Sequence, residues 1–410
     1  MESIATSYSP QEETSLVQTP ENTRSGEIRV LLIEDNVEQA DLVKIYLAEG
    51  GDTTFRVEWV PNLVAAINRL AQPGIDVSVL DLGMPELLGP RSHRAIRLTA
   101  PDIPVVILTA DDHVDSKDLT LAAGAEEYLV KGRNTAGDLK QAIRRAFNRK
   151  QFRSKLLHRK PSSTPGYAIA FMGAKGGVGA TSALLNITEA LAGQHSAIAF
   201  ETASQGGFAF QMDNHRAGDG ARSAPLKLDR EWLSRSVEPT SNGAGVLFAP
   251  LLPWRGTEAA NGIAKQMLRL AKSSSDFVMI DVGCHLDGLT AALTSECQTV
   301  AIVVDCEPAS TGAARETLRL LQPLSRPSCE VMILAVNRSG TPNPPTAEQL
   351  QTFLGKKVLG VVPYSGVPGE WARNRNAPFA VTDPESPVTS SYLEIAWRLS
   401  EDAMARRASK

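Results

Sequence analysis

Two groups of residues in this chain combine side chains and spacings suited to phosphate chemistry. The first is a glycine-rich loop after an apolar run, with the sequence Gly173-Ala-Lys-Gly-Gly-Val-Gly-Ala-Thr-Ser182. Small residues let backbone N–H groups turn onto phosphate oxygens, and a following helix presents its positive dipole end. In the pattern G-x-x-x-x-G-K-[ST] a lysine reaches the outer phosphates. Here Ala180 occupies that position and Lys175 lies inside the loop, so we expect nucleotide binding with one cation missing.

The second group consists of polar residues that end or follow predicted strands: Glu34, Asp35, Asp81, Thr109 and Lys131. Carboxylates at such strand ends can bind one Mg²⁺, which prefers about six oxygen ligands including waters. Asp81 would act as the nucleophile that accepts a phosphoryl group, with Mg²⁺ and Lys131 neutralising charge. Thr109 would bond a phosphoryl oxygen. Each acid alone also fits a solvated loop, but their joint order favours a phosphoacceptor site.

The elements that must position these acids alternate between apolar strands and amphipathic helices. Residues 1–27 are rich in Ser, Thr, Gln and Glu, which predicts a disordered tail. The strands predicted after it are Arg29–Glu34, Phe55–Val60, Val77–Asp81, Pro104–Thr109 and Tyr128–Val130. Five βα units imply a parallel sheet covered on both faces, with its functional crevice at the carboxyl ends of the strands.

Residues 28–148 resemble the response-regulator receiver domain. The resemblance includes Leu80-Asp-Leu-Gly-Met-Pro85 and Tyr128-Leu-Val-Lys131, together with the acids at the strand ends. It implies a flavodoxin-like (CheY-like) fold, adds Gly83 to the Mg²⁺ site and makes Tyr128 an aromatic switch. It also implies a histidine kinase or phosphotransfer protein as partner. The sequence departs from receivers at Gly132, where they commonly have proline.

Length and composition limit the possible classes of protein. A chain of 410 residues is too long for one ordinary core, so we expect two domains. A net charge of −4 argues against a broad nucleic-acid-binding surface. The four cysteines show no metal-ligand spacing and are predicted to be reduced. No apolar run of about 18 residues occurs, so we expect a soluble cytoplasmic protein with only peripheral membrane association.

A basic stretch, residues 149–166, separates the two predicted domains. It follows from the last receiver helix and ends in Pro-Ser-Ser-Thr-Pro-Gly166. The charges fit an exposed helix face running into a linker. A patch for acidic lipid, DNA or an acidic partner is the alternative. Because only Phe147 and Phe152 interleave the basic residues, nucleic-acid binding is the weaker interpretation.

The second predicted domain, residues 167–410, resembles the deviant P-loop proteins of the ParA/MinD family, and specifically its TadZ/CpaE branch. The resemblance rests on Lys175-Gly-Gly-Val-Gly-Ala-Thr181 and implies a doubly wound α/β fold. Asp281 closes an apolar strand and matches a Walker B acid. By resemblance, Asn337 contacts adenine. Where the family has Asp-x-Asp and a Pro-rich switch, this chain has Glu201-Thr-Ala203 and Val282-Gly-Cys-His285.

The resemblance implies binding of ATP and Mg²⁺, the latter involving Thr181, and a homodimer in which Lys175 contacts phosphates across the interface. The nucleotide-binding residues that we assign are Gly173, Lys175, Gly176, Gly177, Val178, Gly179, Ala180, Thr181, Ser182, Asp281 and Asn337. Removing one preorganised transition-state donor commonly costs about 10²–10³ in rate. Since Ala180 and Ala203 stand where catalytic groups are expected, we predict slow or absent hydrolysis.

The order of receiver, linker and Ala-substituted P-loop domain implies a cytoplasmic localisation and assembly factor of a Tad (Flp) type pilus. Its partners would be the pilus motor and assembly proteins, at the inner membrane or cell pole. Two alternatives stay open. One is an active ParA/MinD-type ATPase that binds DNA nonspecifically or a membrane. The other is a response regulator whose second domain is a nucleotide-free interaction module, although no helix-turn-helix output is evident.

Overall fold

The computed structural model describes most of the chain, in two units. The units are Met1–Lys140 and Gln141–Lys410. The described residues are 27–49, 53–84, 95–96, 98–110, 125–159, 164–202, 227–240, 243–248, 257–322, 328–366 and 378–408. The predicted tail up to residue 26 and Ala203 lie outside them.

The first unit contains one parallel sheet. Its elements are β1 (Ile28–Ile33), α1 (Val37–Ala48), β2 (Phe55–Val60), α2 (Leu63–Leu70), β3 (Val77–Asp81), β4 (Val105–Thr109) and β5 (Glu127–Val130). The strand order is β2-β1-β3-β4-β5, and every neighbouring pair is parallel. This is the flavodoxin-like order, in which ligands bind at the carboxyl ends of the strands. The predicted fold class is confirmed for this unit.

Burial and helix capping explain why these segments form these elements. All five residues of β3 and all five of β4 are buried, as expected for central strands covered on both faces. The side chains of Asn36 and Asn62 accept hydrogen bonds from the first turns of α1 and α2. Such caps satisfy backbone N–H groups that have no partner within the helix. These caps therefore fix the starts of α1 and α2 shortly after β1 and β2.

The helix α3 (Ala136–His158) begins in the first unit and ends in the second. The predicted linker therefore includes helical residues with buried side chains. The guanidinium of Arg149 lies 2.9 Å from the Glu238 carboxylate, and both side chains are largely buried. Leu156 packs in a core cluster of the second unit, with Phe152 against it. One side of residues 149–158 is therefore buried, whereas the other side, with Lys155 and His158, is exposed as the charge run predicted.

The second unit is built on an eight-stranded sheet. Its further elements are β6 (Tyr167–Gly173), α4 (Ala180–Ala192), β7 (Ala197–Glu201), α5 (Arg230–Ser236), β8 (Val237–Pro239), β9 (Gly245–Phe248), α6 (Glu258–Ser274), β10 (Phe277–Gly283), α7 (Gly288–Thr294), β11 (Thr299–Asp305), α8 (Pro308–Leu321), β12 (Glu330–Val336), α9 (Ala347–Leu354), β13 (Val358–Val362), α10 (Phe379–Thr382) and α11 (Pro387–Ala408). The strand order is β13-β12-β11-β6-β10-β7-β9-β8. The pairs are parallel except β8–β9.

The central position of β6 places the glycine-rich loop. All seven residues of β6 are buried, and the strand lies between β10 and β11. The chain leaves β6 through α4 to β7 on one side and later continues on the other side through β11. A doubly wound sheet binds ligands where its strand order changes direction in this way. The loop after β6 therefore opens into the expected crevice.

Four elements of the second unit were missed from the sequence. The strand β8 pairs antiparallel with β9, and the helices α7, α9 and α10 are short. For α9 the signal was present, because Thr346 and Gln349 form a capping box and Gly355 ends the helix in a left-handed conformation. The other three lack a marker of comparable strength.

The last helix, α11, packs against α4 and β13 through one face. On this helix Ile395, Ala396 and Leu399 are buried, whereas Leu393 and Met404 are exposed. No helix among the described residues is long and apolar enough to cross a membrane.

The four cysteines are free thiols in this structure. Cys297 and Cys306 are buried, and Cys284 and Cys329 are half-buried. Burial raises the pKa of the Cys306 thiol to about 11 and raises that of Cys297 further. Both buried thiols are therefore protonated at neutral pH.

Candidate functional site

The sheet of the first unit brings the predicted phosphoacceptor residues to one edge. Glu34 follows β1, Asp81 ends β3, Thr109 ends β4 and Lys131 follows β5. Because these four strands are parallel neighbours, their carboxyl ends meet. Glu34, Asp35 and Asp81 each offer a carboxylate oxygen within 4.8 Å of the others, close enough to hold one metal ion. Mg²⁺ is the cation that such an all-oxygen set suits.

The ammonium group of Lys131 joins two of these acids. Its Nζ lies 2.8 Å from Asp81 Oδ2 and 2.7 Å from Glu34 Oε2. It also donates to the side-chain oxygen of Gln39 in α1. Gln39 is a site residue that the sequence did not reveal. Its only sequence signal is its place in the first turn of a helix that starts beside the acids.

Burial and charge change the pKa values of this pair. Burial raises the pKa of Glu34, the nearby Asp81 charge adds to the effect, and the hydrogen bond from Lys131 opposes it. Burial acts to lower the pKa of Lys131, but hydrogen bonds to Asp81 and Glu34 outweigh burial and raise it. Lys131 is therefore a fixed cation at neutral pH, placed where phosphoryl transfer to Asp81 needs one.

Both oxygens of the Asp81 carboxylate are oriented. The Gly83 N–H donates to Oδ1 at 2.9 Å, while Lys131 holds Oδ2. A Cβ atom at position 83 would lie 3.3 Å from either oxygen, so glycine leaves the approach to Asp81 open. The structure thus places the Gly83 main chain at the Asp81 carboxylate. The resemblance assigns Gly83 to the Mg²⁺ site.

Thr109 lies on β4, the strand beside Asp81, whereas Tyr128 lies on β5, one strand further away. Thr109 is buried at the end of β4, in the position predicted for a phosphoryl-oxygen donor. Tyr128 pairs in register with Ile107, and its ring packs in the apolar core of the unit. The structure thus places Thr109 beside the strand that ends in Asp81, while the switch role of Tyr128 stays a prediction.

Trp59 is a further residue of this edge that the sequence did not reveal. Its indole N–H donates to the main-chain oxygen of Glu34 at 2.8 Å, and the ammonium of Lys44 lies 5.2 Å from the ring centroid. Trp59 belongs to β2, the neighbour of β1. It therefore fixes the backbone at the point where the acidic pair begins.

In the second unit, the glycine-rich loop connects the end of β6 to the start of α4. Gly177 and Gly179 have φ angles of 80° and 92°, in the left-handed region that favours glycine. A Cβ atom at Gly173 would lie 2.8 Å from the main-chain oxygen of Lys175, so the loop folds back tightly on the strand end. Gly176 is exposed and Val178 is buried, which leaves the turn itself open to solvent. This is the backbone form that a phosphate-binding loop requires.

Two predicted Mg²⁺-site residues meet beside the loop. Thr181 Oγ1 donates to Asp281 Oδ2 at 2.6 Å, and the Gly283 N–H donates to Asp281 Oδ1 at 3.0 Å. Asp281 is buried, and burial raises its pKa, while the bonds from Thr181 and Gly283 oppose the rise. Ser182 lies next to Thr181 in the first turn of α4. A hydroxyl and a carboxylate in this arrangement can hold Mg²⁺ directly and through water.

The other predicted nucleotide residues already have partners. The Lys175 ammonium lies 3.1 Å from the Glu307 carboxylate, with both side chains half-exposed. The Asn337 amide donates to the main-chain oxygen of Thr341 and accepts from its N–H. In this structure, Asn337 is therefore committed to its own turn. Glu201 ends β7 in register with Asp281, so its carboxyl group belongs to the same edge of the sheet.

Comparisons with known proteins agree with the geometry of the first unit. Residues 30–144 match the family model of the response regulator receiver domain. Those residues form a receiver domain. The same part of the chain is 39% identical over 104 residues to response regulator protein PmrA of Pseudomonas aeruginosa, covering 25% of this chain and 46% of that protein. It is 34% identical over 104 residues to response regulator MprA of Mycobacterium bovis, covering 25% and 44%. The match thus spans less than half of each relative.

Solved structures resemble each unit. The ParA family ATPase of Chlorobium tepidum is 18% identical, covers 56% of this chain and 98% of its own, and has a TM-score of 0.49. MinD of Pyrococcus horikoshii in complex with Mg-ADP is 15% identical, with coverages of 58% and 97% and a TM-score of 0.47. A receiver domain protein of Clostridium thermocellum is 32% identical, with coverages of 30% and 97% and a TM-score of 0.28. The strand order and the loop after β6 show that the second unit is a doubly wound α/β fold with a glycine-rich loop at its central strand.

Proposed function

We propose that this chain is a phosphorylation-responsive factor that accepts a phosphoryl group at Asp81 and binds ATP in its second unit. The observation that carries the proposal is the Lys131 ammonium, which bridges Asp81 and Glu34 beside a three-carboxylate cluster. An isolated group of surface acids would have no half-buried cation paired with two of its members. The arrangement matches the charge distribution that phosphoryl transfer requires.

The transfer follows from the placement of these groups. An oxygen of Asp81 attacks the phosphorus of a phosphodonor, and the bond to the leaving group breaks with its electron pair going to that group. Lys131 stabilises the charge that develops on the phosphoryl oxygens, and the Thr109 hydroxyl bonds one of them. Glu34, Asp35, Asp81 and the Gly83 main chain would hold Mg²⁺, which would neutralise further charge when bound. The phosphodonor would be a histidine kinase or a phosphotransfer protein.

The second unit would bind ATP with Mg²⁺ and hydrolyse it slowly or not at all. The loop conformation and the Thr181–Asp281 pair support binding. Ala180 supports slow turnover, because it cannot supply the side-chain cation that stabilises the transferred phosphoryl group. Ligand-linked homodimerisation through Lys175 belongs to the same proposal. In the structure, Lys175 contacts Glu307 of its own chain, so dimerisation would require exchange of that partner.

The cellular role that we propose is that of a localisation and assembly factor for a Tad (Flp) type pilus. It rests on the order of a receiver and an Ala-substituted P-loop unit, which resembles TadZ/CpaE proteins. The partners would be the pilus motor and assembly proteins, and the site of action the inner membrane or cell pole. Copurification with a pilus motor from cells would support this role, whereas tight binding to DNA would favour a partitioning-type ATPase.

The direct test is phosphoryl labelling of the full chain with radiolabelled acetyl phosphate and Mg²⁺. We expect labelling of the wild type and none of Asp81→Ala. Asp102→Ala, which removes an exposed aspartate of the same unit, is the matched control and should label like the wild type. If Asp81→Ala is labelled to the same extent as the wild type, the phosphoacceptor proposal is wrong.

A further inference from the structure

The proposed nucleotide site lacks a cation at its usual position. Ala180 is half-buried and packs against an apolar core cluster, and its side chain carries no charge. Lys175 has its ammonium group 3.1 Å from Glu307. The phosphates of a nucleotide carry several negative charges that the backbone N–H groups alone would have to balance. Phosphates held by this loop would therefore need another cation nearby.

Arg338 reaches this loop from the end of β12. Its guanidinium donates a hydrogen bond to the main-chain oxygen of Gly177. Its Cδ atom would lie 3.1 Å from a Cβ atom at Gly179, the residue that caps α4. The aliphatic part of Arg338 thus runs along the start of the helix, and its charged end lies at the turn of the loop.

The backbone of Arg338 is fixed to the neighbouring strands. Its N–H donates to the main-chain oxygen of Val336 at 2.9 Å and lies 3.3 Å from the Asp305 carboxylate. The same Asp305 oxygen accepts from the Cys306 N–H at 2.7 Å. Asp305 is largely buried at the end of β11. The side chain of Arg338 is exposed and extends over the loop from this anchored backbone.

The charge of Arg338 is available for a ligand. Among the described residues, its guanidinium bonds to a neutral carbonyl and forms no ion pair with a carboxylate. A guanidinium has five N–H donors in a planar fork that matches two phosphate oxygens. One bond to Gly177 leaves donors for such a ligand. A small rotation of an exposed side chain would direct them to phosphates held by the loop.

We propose that Arg338 supplies the phosphate-contacting cation of the second unit, in place of the lysine that is absent at position 180. The inference rests on the proposed nucleotide binding and deepens it. It assigns Arg338 to the phosphates of a nucleoside di- or triphosphate rather than to the base. It also explains how a loop without its usual lysine retains affinity for nucleotide.

The test is calorimetry of the full chain with ATP·Mg²⁺, ADP·Mg²⁺ and adenosine. We expect Arg338→Ala to bind ATP and ADP about 10- to 100-fold more weakly, the effect of losing one charge-assisted contact. Arg338→Lys, which keeps the charge but loses the fork, should fall between Arg338→Ala and the wild type. Binding of adenosine should not change. Arg319→Ala removes an exposed arginine of α8 and serves as the matched control with wild-type affinity.

Two results would overturn the inference while leaving the nucleotide site intact. In the first, the wild type binds ATP and Arg338→Ala binds it within about twofold of the wild type, with an unchanged unfolding midpoint. In the second, Arg338→Ala weakens the binding of adenosine as much as the binding of ATP, which would assign Arg338 to the base. If the wild type itself binds no ATP at millimolar concentration, the proposed nucleotide function fails, and the role of Arg338 fails with it.

Discussion

A buried glutamate should make the stability of the second unit depend on pH. Glu189 lies on α4, only 4% exposed, and neither of its carboxylate oxygens forms a hydrogen bond within the described residues. Burial raises its pKa from 4.5 to about 7, and interaction with the Thr240 side chain offsets only part of the rise. The Glu189 carboxyl group is therefore neutral in the folded protein under mildly acidic conditions. In the unfolded chain the same group ionises with its ordinary pKa of 4.5.

The magnitude follows from this difference in pKa. Each pH unit is worth about 1.36 kcal/mol, so a rise of about 2.5 units corresponds to about 3 kcal/mol. Between pH 4.5 and 7 the folded state binds more protons than the unfolded state, and the free energy of unfolding falls as pH rises. The stability that neutral Glu189 permits is complete below pH 4.5 and lost above about pH 7. Glu189→Gln cannot ionise and should abolish this loss.

The assay is urea unfolding of the full chain at pH 5, 6, 7 and 8, followed by tryptophan fluorescence in a Trp59→Phe background. The four remaining tryptophans all lie in the second unit. We expect the Glu189→Gln variant to exceed its parent by about 3 kcal/mol more at pH 8 than at low pH, with less than about 1 kcal/mol of this difference present at pH 5. Glu401→Gln, an exposed glutamate on α11, is the control. An unchanged pH slope in Glu189→Gln would refute the reasoning.

Three further predictions concern the two sites. Lys131→Ala should slow labelling of Asp81 about 10²- to 10³-fold, because it removes a preorganised cation; an initial rate within threefold of the wild type would contradict this. Mg²⁺ should change the fluorescence of Trp59, which bonds to Glu34, and the difference signal should vanish in Trp59→Phe. Gly179→Ala should lower the free energy of unfolding by about 1–2 kcal/mol and weaken ATP binding, since its φ is 92°. Gly312→Ala, in α8 with open space around the Cβ position, should not destabilise the protein. Equal unfolding curves for the two glycine variants would count against the strain at Gly179.

Much of the fold was predictable because local patterns specify it. The apolar runs that precede Asp81, Thr109 and Asp281 are strands, with bounds that differ from the predicted ones by at most two residues. Since polar residues at the ends of parallel strands converge, the phosphoacceptor site could be assembled without coordinates. The strand β8 was missed because a three-residue strand carries little periodicity.

The contacts between distant segments were not predictable. Gln39 and Lys131 are far apart in the chain, and no spacing rule indicates that one accepts a hydrogen bond from the other. The same holds for Trp59 at Glu34 and for Arg338 at Gly177. The run of basic residues after residue 148 predicts exposed side chains, yet the Arg149 side chain is buried beside Glu238. Composition cannot distinguish a solvated basic face from one that pairs with an acid elsewhere in the chain.

The sequence by itself determined the chemical groups available to this protein: three acids and a lysine at strand ends, and a glycine-rich loop with alanine at position 180. These are properties of residue type and local spacing. Only the tertiary structure decided which charges meet, because strand order and side-chain packing bring together residues that are remote in the chain. It placed Lys131 between Asp81 and Glu34, paired Lys175 with Glu307 and brought Arg338 to the loop that lacks its lysine.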